Sequence, residues 1–357
     1  MKFLLMKTKL LSRGGNRMKK NKYIIWGTGS YGRIAYESLC KEINIVGFCC
    51  NNQSEWGGAI QINGEEAVVL SPQQLSSDFM IIIATGSQYW VVIEKQIKEL
   101  GLNSVSFDDF YFSSHKRELN TICRMMNDSF SKKVLCSVIK ARSKNDYSEI
   151  YKVYSDNQYF ALPQMRAPGS RLYETFIDVG AFTGDTIEKF LSDRTDVFKK
   201  IIAFEPAEKQ FVALKKRCER LNKEWAFEEN RIICEELALS DKVSNLTIFE
   251  TKNNLGGTYV SDSNGDNCVQ AISLDDYVKN DSIDFIKVDI EGFEMKFLIG
   301  AANTITRCKP KIAICIYHSP ADFYRIPLYI KQLVPEYKMA VRHHSLGKDE
   351  TVLYAWT

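Results

Sequence analysis

Short apolar runs alternate with helical periodicity along most of the chain, and they fall into two series. The first opens with the run Tyr23–Trp26, a glycine loop at 27–32 and a helical pattern through Cys40. Ile43–Cys50, Ala67–Leu70 and Met80–Ala84 read as further strands, Trp90–Leu100 as a helix and Ser104–Phe107 as a last strand. This alternation predicts a small doubly wound α/β domain over 21–110. Residues 111–172 break the pattern. They are Lys- and Ser-rich, with helical character over Leu119–Lys140 and Asp146–Tyr154 and a loop at Pro163–Ser170. They predict a helical connector that packs against the part that follows.

The second series has strands at Thr175–Val179, Lys200–Phe204, Ile232–Ala238 and Leu246–Thr251, with helices opening at Asp185 and over Ala207–Asn222. Ala271–Ser273 precedes a short helix at Leu274–Val278. The strand Phe285–Val288, a helix over Glu294–Thr304, the strand Lys311–Tyr317 and a helix at Pro327–Leu333 follow. Met339–Arg342 and Val352–Ala355 form a terminal strand pair. The expected fold class is α/β: two Rossmann-like doubly wound domains, 21–110 and 173–357, joined by the connector, with residues 1–20 a disordered tail.

Length agrees, since 357 residues suit two domains of ~100–200 residues each. A net charge of +3 carries no basic stripe outside the N-terminus, which speaks against a nucleic-acid partner. No run approaches the ~18 apolar residues of a membrane span. The ten cysteines include no C-x-x-C pair and sit mostly in apolar or helical runs, which points to the reducing cytoplasm and to no zinc site. Arg13-Gly14-Gly15 can be written in purine-rich codons ahead of Met18, so initiation at Met18 is an expectation if the gene is bacterial. A homo-oligomer is compatible with all of this.

Chemistry enters with the second glycine loop, Asp178-Val179-Gly180-Ala181-Phe182-Thr183-Gly184-Asp185. Glycines after a strand let the backbone turn sharply and approach a ligand at the sheet edge. Asp178 and Asp185 would repel a pyrophosphate there, but suit a ligand carrying an ammonium and a sulfonium, as S-adenosylmethionine (SAM) does. Glu205 ends the following strand, where an acid can accept hydrogen bonds from both ribose hydroxyls. Ser240-Asp241 falls after the next strand, where an adenine-edge contact belongs. An acid after a strand is usually a solvated turn; three such features in order are more specific.

These residues resemble the FkbM-type methyltransferase family. The resemblance covers roughly Phe176 to the C-terminus: the glycine loop, Phe204-Glu205-Pro206, Ala238-Leu239-Ser240-Asp241 and Ile286–Glu294, then Ile316–Pro320, Arg342–Ser345 and Glu350–Ala355. It implies a class I, SAM-dependent methyltransferase domain whose relatives largely O-methylate sugars, glycans or small metabolites. The expected substrate is a hydroxyl of a sugar or a surface-polysaccharide or glycan precursor.

On the acceptor side Asp289 follows the strand nearest the methyl group, and a carboxylate there can hold the methionine ammonium or orient the acceptor. Glu291 and Glu294 compete with a simpler role at a helix start, where acids suit the dipole. A sugar hydroxyl is a poor nucleophile at neutral pH, so a general base is expected. His318 directly follows a strand and is the first candidate, His343 the second; His344 alternates with His343 and faces the other way. Asp289, His318 and His343 can converge on a divalent metal, but nothing in their spacing demands it, and no metal set is assigned. The glycine-rich stretches Asn253–Thr258 and Asn264–Asn267 read as surface turns or a substrate lid.

The first loop, Gly27-x-Gly29-x-x-Gly32, follows a strand and opens a helix, as a dinucleotide fingerprint requires. The next strand ends in Cys49-Cys50-Asn51-Asn52 and offers no acid for a ribose. The domain holds a nucleotide or sugar nucleotide, or is purely structural. Two competing functions remain: an NAD- or nucleotide-sugar-dependent oxidoreductase or epimerase using this loop, and a non-catalytic binding protein of glycan assembly.

Overall fold

The computed structural model describes residues 21–62, 64–166, 173–194, 197–228, 230–249, 259–261 and 268–357. The chain divides into two compact units, Met1–His115 with Arg142–Asn145, and Lys116–Ala141 with Asp146–Thr357. Both are built on parallel sheets of the Rossmann-like kind. No helix among the described residues is long and apolar enough to cross a membrane.

The first unit runs β1 (Lys22–Trp26), α1 (Ser30–Leu39), β2 (Asn44–Cys49), β3 (Ala59–Ile62), β4 (Glu65–Leu70), β5 (Phe79–Ile83), α2 (Ser87–Glu99), β6 (Asn103–Ser106) and α3 (Phe107–Ser114). The sheet order is β3-β4-β2-β1-β5-β6. Only β3 is antiparallel, hairpinned onto β4; the apolar pattern missed it because just Ile60 and Ile62 face inward. Ile24 and Trp26 of β1, Ile81 and Ile83 of β5 and Ile97 of α2 form its core.

The first glycine loop lies where β1 meets β5. Gly27 has φ +132°, and a Cβ there would sit 2.2 Å from the Ala84 carbonyl oxygen. A Cβ on Gly32 would sit 1.9 Å from the Gly27 oxygen. Both are required by packing alone, whereas Gly29 borders open space. Asn51, at the end of β2, exchanges hydrogen bonds with Gln96. The loop helix is pinned from below: the Tyr31 hydroxyl donates to Asp108 (2.8 Å), whose Oδ1 takes two nitrogens of the buried Arg142 guanidinium.

The second unit contains α4 (Lys116–Met125), α5 (Ser129–Lys144, whose last residues belong to the first unit), α6 (Pro163–Arg166), β7 (Glu174–Val179), α7 (Asp185–Arg194), β8 (Phe198–Phe204), α8 (Glu208–Glu224), β9 (Ile232–Glu235), β10 (Ala238–Leu239), β11 (Ser244–Phe249), β12 (Tyr259–Ser261), β13 (Cys268–Ile272), α9 (Leu274–Val278), β14 (Phe285–Val288), α10 (Glu294–Gly300), α11 (Ala302–Cys308), β15 (Lys311–Cys315), α12 (Asp322–Leu333), β16 (Lys338–His343) and β17 (Thr351–Trp356). The main sheet has the order β16-β17-β15-β14-β7-β8-β9, and β10-β13-β11-β12 form a small second sheet. Strand direction is parallel except at β17, which runs antiparallel to β15 and β16. Chain order reverses between β7 and β14, so a crevice opens beyond their carboxyl ends. Phe176, Phe190 and Phe285 stack beneath it in the buried core.

The expected helix over Leu119–Lys140 is two helices. Asp128 interrupts it by accepting from the Ser131 backbone N–H (2.6 Å), a side-chain cap that starts α5 afresh. Asp146–Tyr154 holds only a 3-10 turn at Ile150–Val153. The segment covers the sheet edge: Val341 N–H donates to Ser131 Oγ (2.9 Å), Arg342 pairs with Asp128, and Ser155 N–H donates to the His343 carbonyl. An edge strand so covered offers no template for another chain. The glycine-rich stretches at 253–258 and 264–267 lie outside the described residues, as does Met18.

Candidate active site

The crevice of the second unit holds a cavity of about 300 Å³. Its wall is built from segments that follow five strands: Gly180, Phe182 and Asp185 after β7; Glu205 after β8; Leu237 and β10 after β9; Asp289 and Glu291 after β14; Tyr317 after β15. Gln158 and Tyr159 from the connector and Glu350 before β17 complete it.

The glycine loop packs backbone to backbone. Gly180 has φ +74°, and a Cβ would fall 1.9 Å from the Asp289 carbonyl oxygen, so this strand end comes close to its neighbour only without a side chain. Gly184 (φ +84°) gives way to Leu214 of α8. The N–H groups of Gly180 and Ala181 both donate to the Phe204 oxygen (3.0 Å), and Ala181 is buried behind the wall.

Asp178, expected at the ligand, lies elsewhere. It is fully buried, does not line the cavity, and stands opposite Lys287 in the β7–β14 register, 3.1 Å from its ammonium. Burial raises the Asp178 carboxyl to about 6 against the pull of Lys287. Burial disfavours the Lys287 charge too, but Asp178 and Asp289 outweigh it and hold the ammonium protonated. The negative charge of Asp178 is therefore spent inside the sheet, which corrects its expected role. Asp185 does line the cavity, at the start of α7.

Glu205 lines the cavity after β8. It is 7% exposed, Oε2 accepts from Phe182 N–H and Oε1 from Ala207 N–H (2.9 Å each), and it faces the cavity. Burial raises its carboxyl to about 7 against these two donors. Ser240 and Asp241 are not brought to the wall: Ser240 Oγ turns to Asp241 (3.1 Å), which is exposed, and the preceding Leu237–Leu239 take the place expected of them.

At the other end Asp289 accepts a 2.6 Å hydrogen bond from Tyr159 and a 3.4 Å contact from Tyr317. Glu291 follows in the left-handed region (φ +53°), a conformation costly for a side chain and found where a turn serves a site. Burial raises the Glu291 carboxyl to about 7, against His318. Glu350, also raised to about 7 by burial, accepts from Gln158. His318 sits behind these acids rather than on the wall, its ring 3.0 Å from Glu294, 3.5 Å from Glu291 and 3.6 Å from Asp289. Burial opposes its charge, yet Glu294 and the other carboxylates raise it well above the usual imidazole range. His318 stands off the wall, at one remove from the place expected of a base beside the acceptor. His343 is fully buried, bonded to Thr351 Oγ1 (2.8 Å) and the Gly347 oxygen (3.1 Å), and is not brought to this group. His344 contacts Ser155 and Tyr354. Gln158 and Tyr159 line the cavity from outside every quoted motif, whereas Lys287, Tyr317 and Glu350 lie inside motifs that gave them no role.

Residues 178–337 match the Methyltransferase FkbM domain family, and residues 19–106 match the family "C2185-like, N-terminal". No curated protein matches the chain. Among solved structures, methyltransferase FkbM from Methylobacillus flagellatus KT is 17% identical, covers 95% of this chain and 91% of its own, and aligns with a TM-score of 0.58, a likeness of fold. A SAM dependent methyltransferase from Aquifex aeolicus is 13% identical over 52% of this chain and 84% of its own, with a TM-score of 0.31. An rRNA methylase from Streptococcus thermophilus is 13% identical over 60% and 95%, with a TM-score of 0.33. At those scores neither bears on the acceptor. Residues 178–337, on the seven-stranded sheet and its crevice, are thus an FkbM methyltransferase domain, and residues 19–106 a C2185-like N-terminal domain.

Proposed function

We propose that the cavity binds SAM and that the chain O-methylates a hydroxyl of a sugar or glycan precursor. Glu205 carries the reading: a cavity-facing carboxylate with each oxygen fixed by one backbone donor keeps free lone pairs for a vicinal diol such as a ribose. The apolar Leu237–Leu239 segment beside it suits a purine face, and Asp185 suits an ammonium. Bound there, SAM would supply a methyl group activated on a sulfonium for transfer to an acceptor oxygen.

The chain's own residues then have two tasks, alignment and proton removal. Asp289, held by Tyr159, orients the acceptor hydroxyl, and Glu291 on the wall takes its proton. The acceptor end presents carboxylates, tyrosine hydroxyls and an amide, which together match a polyhydroxylated molecule better than an apolar one. Calorimetry with SAM and S-adenosylhomocysteine tests the cofactor half, and transfer of labelled methyl to a panel of sugars and nucleotide sugars tests the acceptor half. If neither cofactor form binds or raises the melting temperature, the reading fails.

A further inference from the structure

Among the described residues, His318 and Glu294 bring buried polar atoms without hydrogen bonds together against the acids of the cavity wall. The side chains of His318 and Glu294 are 6% and 1% exposed. Neither ring nitrogen of His318 nor Oε2 of Glu294 takes part in a hydrogen bond. The ring is nevertheless flanked by acids: Nδ1 lies 3.0 Å from Glu294 Oε1 without hydrogen-bond alignment, and Nε2 lies 3.5 Å from Glu291 Oε2 and 3.6 Å from Asp289 Oδ1. Buried polar atoms lacking partners are rare in folded proteins and call for an ion or ordered water.

The spacing favours an ion. One ligand atom each from Asp289, Glu294 and His318 lies within 4.8 Å of the other two. Donors at about 2.0–2.4 Å around a single cation are separated by no more than about 4.8 Å. We infer that Asp289, Glu294 and His318 bind a divalent cation at the acceptor end of the cavity, with Glu291 at its solvent side. One imidazole among carboxylate oxygens suits Mn²⁺ or Zn²⁺ better than Mg²⁺ or Ca²⁺. His343 is not in the set, because both its ring nitrogens are engaged elsewhere. Asp289 lines the cavity, so the cation lies beside the acceptor, where it would acidify a hydroxyl. That use rests on the methyl-transfer reading; cation binding itself does not.

The test uses the full chain, stripped with a chelator, dialysed and titrated with Mn²⁺ while free ion is followed by electron paramagnetic resonance. One Mn²⁺ per chain is expected, with binding at least tenfold weaker in His318→Gln and in Glu294→Gln. SAM binding, measured in parallel by calorimetry, persists in His318→Gln, whose ring is off the wall, and reports that the variant is folded. In the wild type the bound Mn²⁺ shows nitrogen hyperfine coupling from an imidazole, which decides the matter if the variants do not fold. Absence of Mn²⁺ binding, unchanged binding in both folded variants, or bound Mn²⁺ without nitrogen coupling overturns the inference. Mn²⁺ binding without SAM binding leaves the cation site standing and removes the methyl-transfer reading.

Discussion

The Tyr159 hydroxyl donates to Asp289 Oδ2 at 2.6 Å across 130 residues of chain, tying the connector to a strand end that lines the cavity. A hydrogen bond to a charged group is worth roughly 1.5–3 kcal/mol. Tyr159→Phe should therefore lower kcat about tenfold or more. It should leave SAM affinity within about threefold, because Tyr159 lies at the other end of the cavity from Glu205. Steady-state kinetics with cofactor calorimetry check this; an equal loss in both quantities would assign Tyr159 to folding instead.

Glu205 gives the proposed cofactor site a pH dependence with a definite sign. Its carboxyl is raised to about 7 by burial, and only the ionised form accepts from two ribose hydroxyls while keeping its backbone donors. Protons thus compete with SAM. Affinity should be flat above about pH 8 and fall toward tenfold per unit well below pH 7. Glu205→Gln should bind roughly 10–100-fold more weakly and lose that dependence, as calorimetry between pH 5.5 and 8.5 would show.

The glycines of the two loops should separate by substitution. Gly180→Ala places a Cβ 1.9 Å from the Asp289 oxygen at φ +74°, and should cost more than about 2 kcal/mol in urea unfolding of the methyltransferase domain. Gly29→Ala meets open space and should stay within about 0.5 kcal/mol. Gly32→Ala, 1.9 Å from the Gly27 oxygen, should unfold the N-terminal unit. If Gly29→Ala instead abolishes binding of NAD or a nucleotide sugar without loss of stability, the first loop holds a ligand.

Asp178→Asn leaves the Lys287 ammonium buried with less compensation. Breaking such a pair typically costs about 3–5 kcal/mol. Denaturant unfolding should show that loss at neutral pH, and SAM affinity measured on the folded fraction should change little, since Asp178 is not on the wall.

Glu205, Asp185 and Asp289 were legible as acids after predicted strands, because strand ends gather at one edge of a parallel sheet, whereas Glu291 was weighed against a plain helix start. Asp178 was legible as an acid but not as a spent one. Its partner Lys287 is set opposite it by the register of β7 on β14, which no local pattern encodes. His343 failed for a related reason. Alternation along β16 gives its face, but Thr351 and Gly347 reach its ring through the pairing with β17. Tyr159 carried no signal: it sits in the left-handed region (φ +66°) of a segment without periodicity, positioned by tertiary contacts alone.

The wall contributed by Gln158, Tyr159 and Glu350 has a consequence for how this enzyme can be cut and exchanged. All three lie outside residues 178–337, the stretch that matches the FkbM domain. A graft bounded by that stretch would transplant the Glu205 end of the crevice and leave its opposite end unfinished. The portable unit, for swapping acceptor preference between such enzymes, begins before Gln158 and ends after Glu350; its borders are those of the crevice rather than those of the recognisable sequence.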